Sequence, residues 1–399
     1  MASLPTFFSL IFALVVCILV DQAIGKDQTN IFNVVKYGAV ADGKTDDSKA
    51  ILDAWSQACE FNGSSVVLIP HGKYMVGPMV LTGPCKGSME FMVQGDLQAP
   101  TDEASRYLDH WITFRYTNQL ILHGGGTFDG QGASAWAYNN CLRDPHCKKF
   151  PVSLRWDFVT NSSISNINMV NSKNFHINLF ACQHVEVRNV TITAPGNSPN
   201  TDGIHIAVSK EIQISDSSIS TGDDCISMGP GLENINITNI TCGPGHGISI
   251  GSLGDTANEG DVIGVNVLNC NLTDTLNGVR IKTWAPSFSS NVSGITFGNL
   301  YFTNVDNPII IDQQYCPSRS CYQQASSSVQ ISDVKFSNIW GTSSTEVAVD
   351  LQCSESKPCQ NVELSDINLS LQGGGVAKST CSNVQGGAAY GVQNPPSCL

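Results

Sequence analysis

Charge is scarce in this chain. Asp, Glu, Lys and Arg make up 14% of its 399 residues, against roughly 25% in an ordinary soluble protein. Positive charge is scarcer still: 21 Lys and Arg face 34 Asp and Glu, for a net charge of −13. Such a chain is a poor general binder of nucleic acid or of an anionic membrane surface. Beyond residue 25 no apolar run approaches the ~20 residues of a membrane helix. The 15 cysteines include no CxxC pair and no accompanying HxxxH, so the common zinc patterns are missing. Gly124-Gly125-Gly126 and Gly130/Gly132 are not followed by Gly-Lys-Ser/Thr, so they read as corner glycines, not as a phosphate loop. A hydrophobic content of 41% excludes a disordered chain.

What is present begins with a leader. Phe7 to Val20 is an apolar run too short for a comfortable span, and Ala23-Ile24-Gly25 supplies small residues before Lys26. We read residues 1–25 as a signal peptide and residues 26–399 as one mature domain. Cleavage there removes Cys17 and leaves an even number of cysteines, as expected of a secreted disulfide framework. Close pairs are the candidates for bridging: Cys141/Cys147, Cys225/Cys242, Cys316/Cys321, Cys353/Cys359 and Cys381/Cys398. Eight Asn-x-Ser/Thr sequons, at Asn62, Asn161, Asn189, Asn236, Asn239, Asn271, Asn291 and Asn368, imply exposed asparagines where glycans are attached.

The middle of the chain repeats. Alternating segments recur from Val185–Ile192 through Ile212–Ile219, Ile235–Ile240, Val262–Cys270 and Val292–Phe297 to Val329–Ile339 and Val362–Leu369. A second series interleaves: Gly203–Ile206, Cys225–Met228, Gly247–Ile250, Gly278–Ile281 and Pro308–Ile311. Period-two alternation reads as strand. Short strands joined by Asn, Gly and Ser corners at coil-like spacing describe an all-β solenoid, the right-handed single-stranded parallel β-helix. A sandwich would instead show hairpin turns. Thr45-Asp46-Asp47 can start a helix with Ala50, Ile51, Ala54, Trp55 and Ala58 on one face. This short N-terminal helix is expected to cap the core, and the C-terminal cysteines to pin the other end.

Stacking converts spacing into proximity. Asp202 and Asp223 are 21 residues apart, and Asp224 and His246 are 22 apart, each about one coil. Arg280 lies a longer coil onward, and Lys282 shares its face. Asp223 and Asp224 can both reach one patch only if the chain bends, which Gly222 permits. Three close carboxyls cannot all ionise freely, so one keeps its proton to higher pH. A proton donor plus a carboxylate that handles water is what glycoside hydrolysis requires. Two cations in an acidic chain mark a site for an anionic substrate, and a uronate sugar meets both demands. His205, inside a strand, reads as a structural or rim residue.

Asn200-Thr201-Asp202-Gly203, Gly222-Asp223-Asp224-Cys225, Gly245-His246-Gly247 and Arg280-Ile281-Lys282 match, in order, four motifs of polygalacturonases, glycoside hydrolase family 28. The resemblance runs from Tyr37-Gly38-Ala39 to Gln314-Tyr315-Cys316-Pro317, nearly the whole mature chain. It implies an inverting hydrolase of α-1,4-linked galacturonate, acting on polygalacturonate or pectin in the cell wall, with no cofactor and no metal. By the same resemblance Asp223 is the general acid, Asp202 and Asp224 activate the water, and His246 tunes the acid. Asn200, Arg280, Lys282 and Tyr315 would bind substrate. The segments 129–136, 172–176 and 307–313 are most similar to plant pollen exopolygalacturonases, some of which are allergens. Exo action from the non-reducing end is expected, with endo action as the alternative. The outcome depends on loops near Gln98–Trp111 and Tyr138–Lys149. A calcium-dependent pectate-lyase-like enzyme and a non-catalytic wall-binding β-helix are the remaining rivals. Nothing in the composition marks a self-association surface, so a monomer is the default.

Overall fold

The computed structural model describes residues 29–141, 147–317 and 325–399. The expected signal peptide, residues 1–25, and Cys321 lie outside the described residues, as does part of the second loop. Among those described, every strand pairing is parallel. The strands form one sheet of 19 and one of 11. In the smaller sheet the strands follow one another in chain order, one per coil. This is a parallel β-helix, and the right-handed crossover is the rule for such connections.

Two rules of side-chain placement build it. In the short-strand sheet Leu154, Ile177, Ile204, Ile226, Ile248, Val279 and Ile309 stand in register on successive coils. All are at most 1% exposed, so the row is a continuous aliphatic stack. Each such side chain stabilises by about 1.5–3 kcal/mol through burial. The long strands bend at single left-handed residues, including Asn166, Asn189, Asp216, Asn239, Asn269, Asn299, Asn338 and Asp366, with φ between 50° and 58°. Asn and Asp tolerate this region better than other residues with a Cβ. Their side chains also join the coils: Asn189 Nδ2 donates to Asn166 Oδ1, Asn239 to Asp216, and Asn338 to Asn299.

The capping helix is Ser48–Glu60. Ala50, Ile51, Ala54, Trp55 and Ala58 are all buried, and Trp55 meets the edges of Phe91 and Phe114 at 6.2 and 5.5 Å. Its start differs in detail from expectation. Asp47 occupies the cap position without capping; its carboxylate accepts from the backbone of Val40 and Ala41. Asp46 instead accepts from Ser48 N and Gly77 N.

Bridges join Cys141–Cys147, Cys225–Cys242, Cys353–Cys359 and Cys381–Cys398. Cys316 is also disulfide-bonded. Cys59–Cys85 joins the helix to the next coil across 26 residues, a pair that short spacing does not suggest. The even count did not mean complete pairing: Cys182 and Cys270 are free and buried, where burial pushes both thiols up to about 12.

Candidate active site

The outward positions of the short-strand sheet alternate with the aliphatic stack. In one such row Arg155, Asn178, His205, Ser227, Ser249 and Arg280 sit on consecutive coils. At ~4.8 Å per coil this is a polar track running along the solenoid. The corners that lead into its strands carry the carboxylates.

The register here is 22 residues: Ile204 pairs with Ile226 and Ile226 with Ile248, and Gly203 N donates to Asp224 O. Asp224 therefore stacks on Asp202, and Asp223 comes one residue earlier in the bend. Asp223 is not on a strand, which resolves the problem of two adjacent aspartates facing one patch. Its Oδ1 accepts from Asp224 N at 2.8 Å and shares a 2.9 Å hydrogen bond with His246 Nδ1. The backbone is also closed: His246 N donates to Asp223 O at 2.8 Å.

Asp224 is enclosed by donors. Arg280 Nη2 and Ser249 Oγ donate to its Oδ1 at 3.0 and 2.8 Å, and Lys282 Nζ donates to Oδ2 at 3.0 Å. Arg280 Nε also donates to Ser249 Oγ at 3.1 Å. Burial raises this carboxyl, but Lys282 and Arg280 outweigh it and hold Asp224 below the usual carboxylate range. Asp202 is the opposite case. Burial first, then the neighbouring charges of Asp223 and Asp224, push it well above that range. Its partner is Ser227 Oγ, 2.6 Å from Oδ2. The expected splitting falls between Asp202, pushed up, and Asp224, held down.

Tyr315 is brought to the cations: its ring centroid lies 5.2 Å from Lys282 Nζ and 5.9 Å from the Arg280 guanidinium. Asn200 lies on the other side, where Asn139 Nδ2 donates to its Oδ1 at 2.9 Å. It lines a pocket of about 430 Å³ together with Lys148, Lys149, Phe150, Arg155, Phe175 and Asn178, among others. The predicted binding residues thus flank the carboxylates at two ends and do not form one contact set.

Asp223, Asp224 and His246 offer ligand atoms within 4.8 Å of one another. Their chemistry does not suit a cation. Both Asp224 oxygens already accept from positive side chains, and those charges repel a second positive ion. Sequence reading missed Ser227 and Ser249, because a serine at an outward strand position looks like any other polar member of the alternation. Only their registered positions beneath the aspartates mark them.

The sequence and the fold both have known relatives. The profile of glycosyl hydrolases family 28 matches residues 59–393. The chain belongs to glycosyl hydrolase family 28. It is a glycoside hydrolase, and its relatives carry polygalacturonase names. It is 48% identical to an exopolygalacturonase of Platanus acerifolia, covering 89% of this chain and 94% of that one. It is 47% identical to a polygalacturonase of Gossypium barbadense, covering 96% and 94%. An exopolygalacturonase structure from Thermotoga maritima superposes with a TM-score of 0.73 at 18% identity, covering 90% of this chain and 91% of that one, which speaks for the fold.

Proposed function

We propose that this family 28 hydrolase is a secreted, cell-wall-directed polygalacturonase that releases galacturonate from the non-reducing end of polygalacturonate with inversion. Asp223 is the most exposed of the three carboxyls, with its side chain 21% accessible against 2% for Asp224, and so is best placed to protonate the leaving oxygen. Asp202 and Asp224 handle the water between them. Asp224, tied to two cations, is a weak base that orients. Asp202, whose proton affinity is high, is the stronger acceptor once its own proton is gone. Arg280, Lys282 and Tyr315 receive the uronate beside the cleaved bond.

The observation that carries exo action is the pocket beyond Asn200. Two loops bound it and touch each other: the Arg106 guanidinium sits 3.7 Å from the Tyr138 ring centroid. Lys173 ties the first loop to the turn after Asp129 by donating to Pro100 O and Gly130 O at 2.9 and 2.8 Å. Burial draws its pKa down to about 8. Lys148 and Lys149 are exposed at the pocket with no ion pair among the described residues. A bounded cationic pocket accepts a chain end more readily than a continuing polymer. Digestion of polygalacturonate tests this: monomer should accumulate while viscosity falls slowly. Rapid viscosity loss with mixed oligomers would reverse the exo assignment. An unsaturated, ultraviolet-absorbing product would point to elimination instead.

A further inference from the structure

We propose that Ser227 and His205 form a proton exit for Asp202, making them positioning and relay residues of the hydrolase. The proposal rests on the reading of Asp202 as the acceptor of the water's proton. Asp202 is 6% exposed and its Oδ2 faces Ser227 Oγ at 2.6 Å. Ser227 Oγ in turn lies 2.7 Å from His205 Nδ1. The three residues sit on two adjacent coils, with His205 and Ser227 in direct register.

The ring is fixed on its other side. Phe175 stacks on His205 with centroids 4.7 Å apart and an angle of 26°. Gly229 has no side chain beside the ring: a Cβ there would stand 3.5 Å from Nε2. His205 is only half-buried, so the imidazole joins an enclosed carboxyl to the rim. Burial first, then Lys282 and Lys149 against the pull of Asp224, draws its pKa to about 4. It is thus neutral at rest, with one ring nitrogen free to accept.

Hydrolysis by inversion creates the need. Each turnover moves one proton from water to a carboxyl and another from the acid to the leaving oxygen. Asp223 can recover its proton from the cleft, whereas Asp202 must shed one from within the protein. In the relay the Asp202 O–H bond breaks as a Ser227 Oγ–H bond forms. The original Ser227 O–H bond breaks as His205 Nδ1–H forms. Asp202 becomes a carboxylate and His205 an imidazolium, which releases its Nε2 proton to water. This leaves the neutral Nδ1–H tautomer donating to Ser227 Oγ while Ser227 donates to Asp202, and return of the ring to the Nε2–H tautomer resets the relay. Charge and proton count balance without a further reactant.

The test uses the whole enzyme on oligogalacturonate, with melting curves for every variant. Ser227→Ala should lower kcat about tenfold or more while KM stays within about twofold, and Ser227→Thr should recover most of the rate. His205→Ala should lose kcat similarly and regain it as imidazole buffer is added. In an Asp202→Asn background, Ser227→Ala should cost nothing more. A folded His205→Ala variant that keeps full kcat, or that loses it and ignores imidazole, overturns the relay. So do independent, multiplicative losses in the double variant. Full activity in Asp202→Asn alone would instead overturn the role given to Asp202, so the two failures are distinguishable.

Discussion

The two sheets of this solenoid solve the same stacking problem with different side chains. On the long-strand face, outward corners carry neutral asparagines that bond to their counterparts one coil away. The sequons gather there as well. All eight asparagines are exposed, and all but Asn62 lie in strands of the larger sheet. On the short-strand face the corresponding outward row holds Arg155, His205, Ser227, Ser249 and Arg280, with three carboxyls at its entrance. Neutral ladders satisfy themselves and leave nothing over for a ligand. Charged rows remain partly unspent: Asp202 is pushed above the usual carboxylate range while Asp224 is held below it. The comparison teaches that the candidate site sits where stacking is electrostatically frustrated, and the sequons where it is not.

The contrast can be broken most severely at Asp223. Asp223→Asn should reduce hydrolysis by about 100-fold or more, the range lost with a general acid, while the melting temperature barely moves. A folded variant with near-normal turnover would remove Asp223 from the acid role. Lys282→Ala comes next. It leaves the buried Asp224 with one cation fewer, a change that costs on the order of 3 kcal/mol when a buried pair is broken. KM for oligogalacturonate should rise alongside the lower melting point. An unchanged KM would confine Lys282 to a structural role.

Titration sharpens the comparison with a smaller effect. Asp202 is raised in the folded state, so its contribution to stability is full below the ordinary aspartate pKa and is lost as pH rises through the folded value. Asp202→Asn should therefore melt above the parent at neutral pH, and the gain should vanish in acid. Asp224 is lowered, so its contribution is present above the ordinary value and lost as pH falls through the folded one. Asp224→Asn should melt below the parent at neutral pH, with the gap narrowing in acid. Parallel melts across pH 3 to 7, on the order of the Asp reference value and above, would show opposite slopes; equal slopes would refute the split. The smallest effect belongs to the other face. Asn299→Ala removes the amide that bonds to Asn269 and Asn338 and leaves at φ 58° a residue that tolerates it less well, which should cost about 1–2 kcal/mol. Its kcat and KM should match the parent; a changed kcat would mean the faces are coupled.

Much of this arrangement was legible in the sequence because a solenoid maps chain spacing onto space. The isoleucines at 204, 226 and 248 announce a 22-residue coil, and Asp202, Asp224 and His246 follow it. What stayed illegible depends on identity within the register. Serine at 227 and 249 looks like any outward strand serine until its coil is aligned with an aspartate. The pairing of Cys59 with Cys85 depends on how the capping helix lies against the first coils, which periodicity does not encode. The division between Asp202 and Asp224 depends on which of them Arg280 and Lys282 reach, a matter of side-chain length across two coils.

The Cys381–Cys398 bridge has a mechanical meaning. Each coil leans only on the one before and the one after. A chain pulled or digested from its C-terminal end therefore unwinds as a spool does, last turn first. The bridge fastens the end of the thread. While it holds, the catalytic coils remain wound beneath the turns that follow them; once it is cut, loss of those outer turns precedes loss of the site.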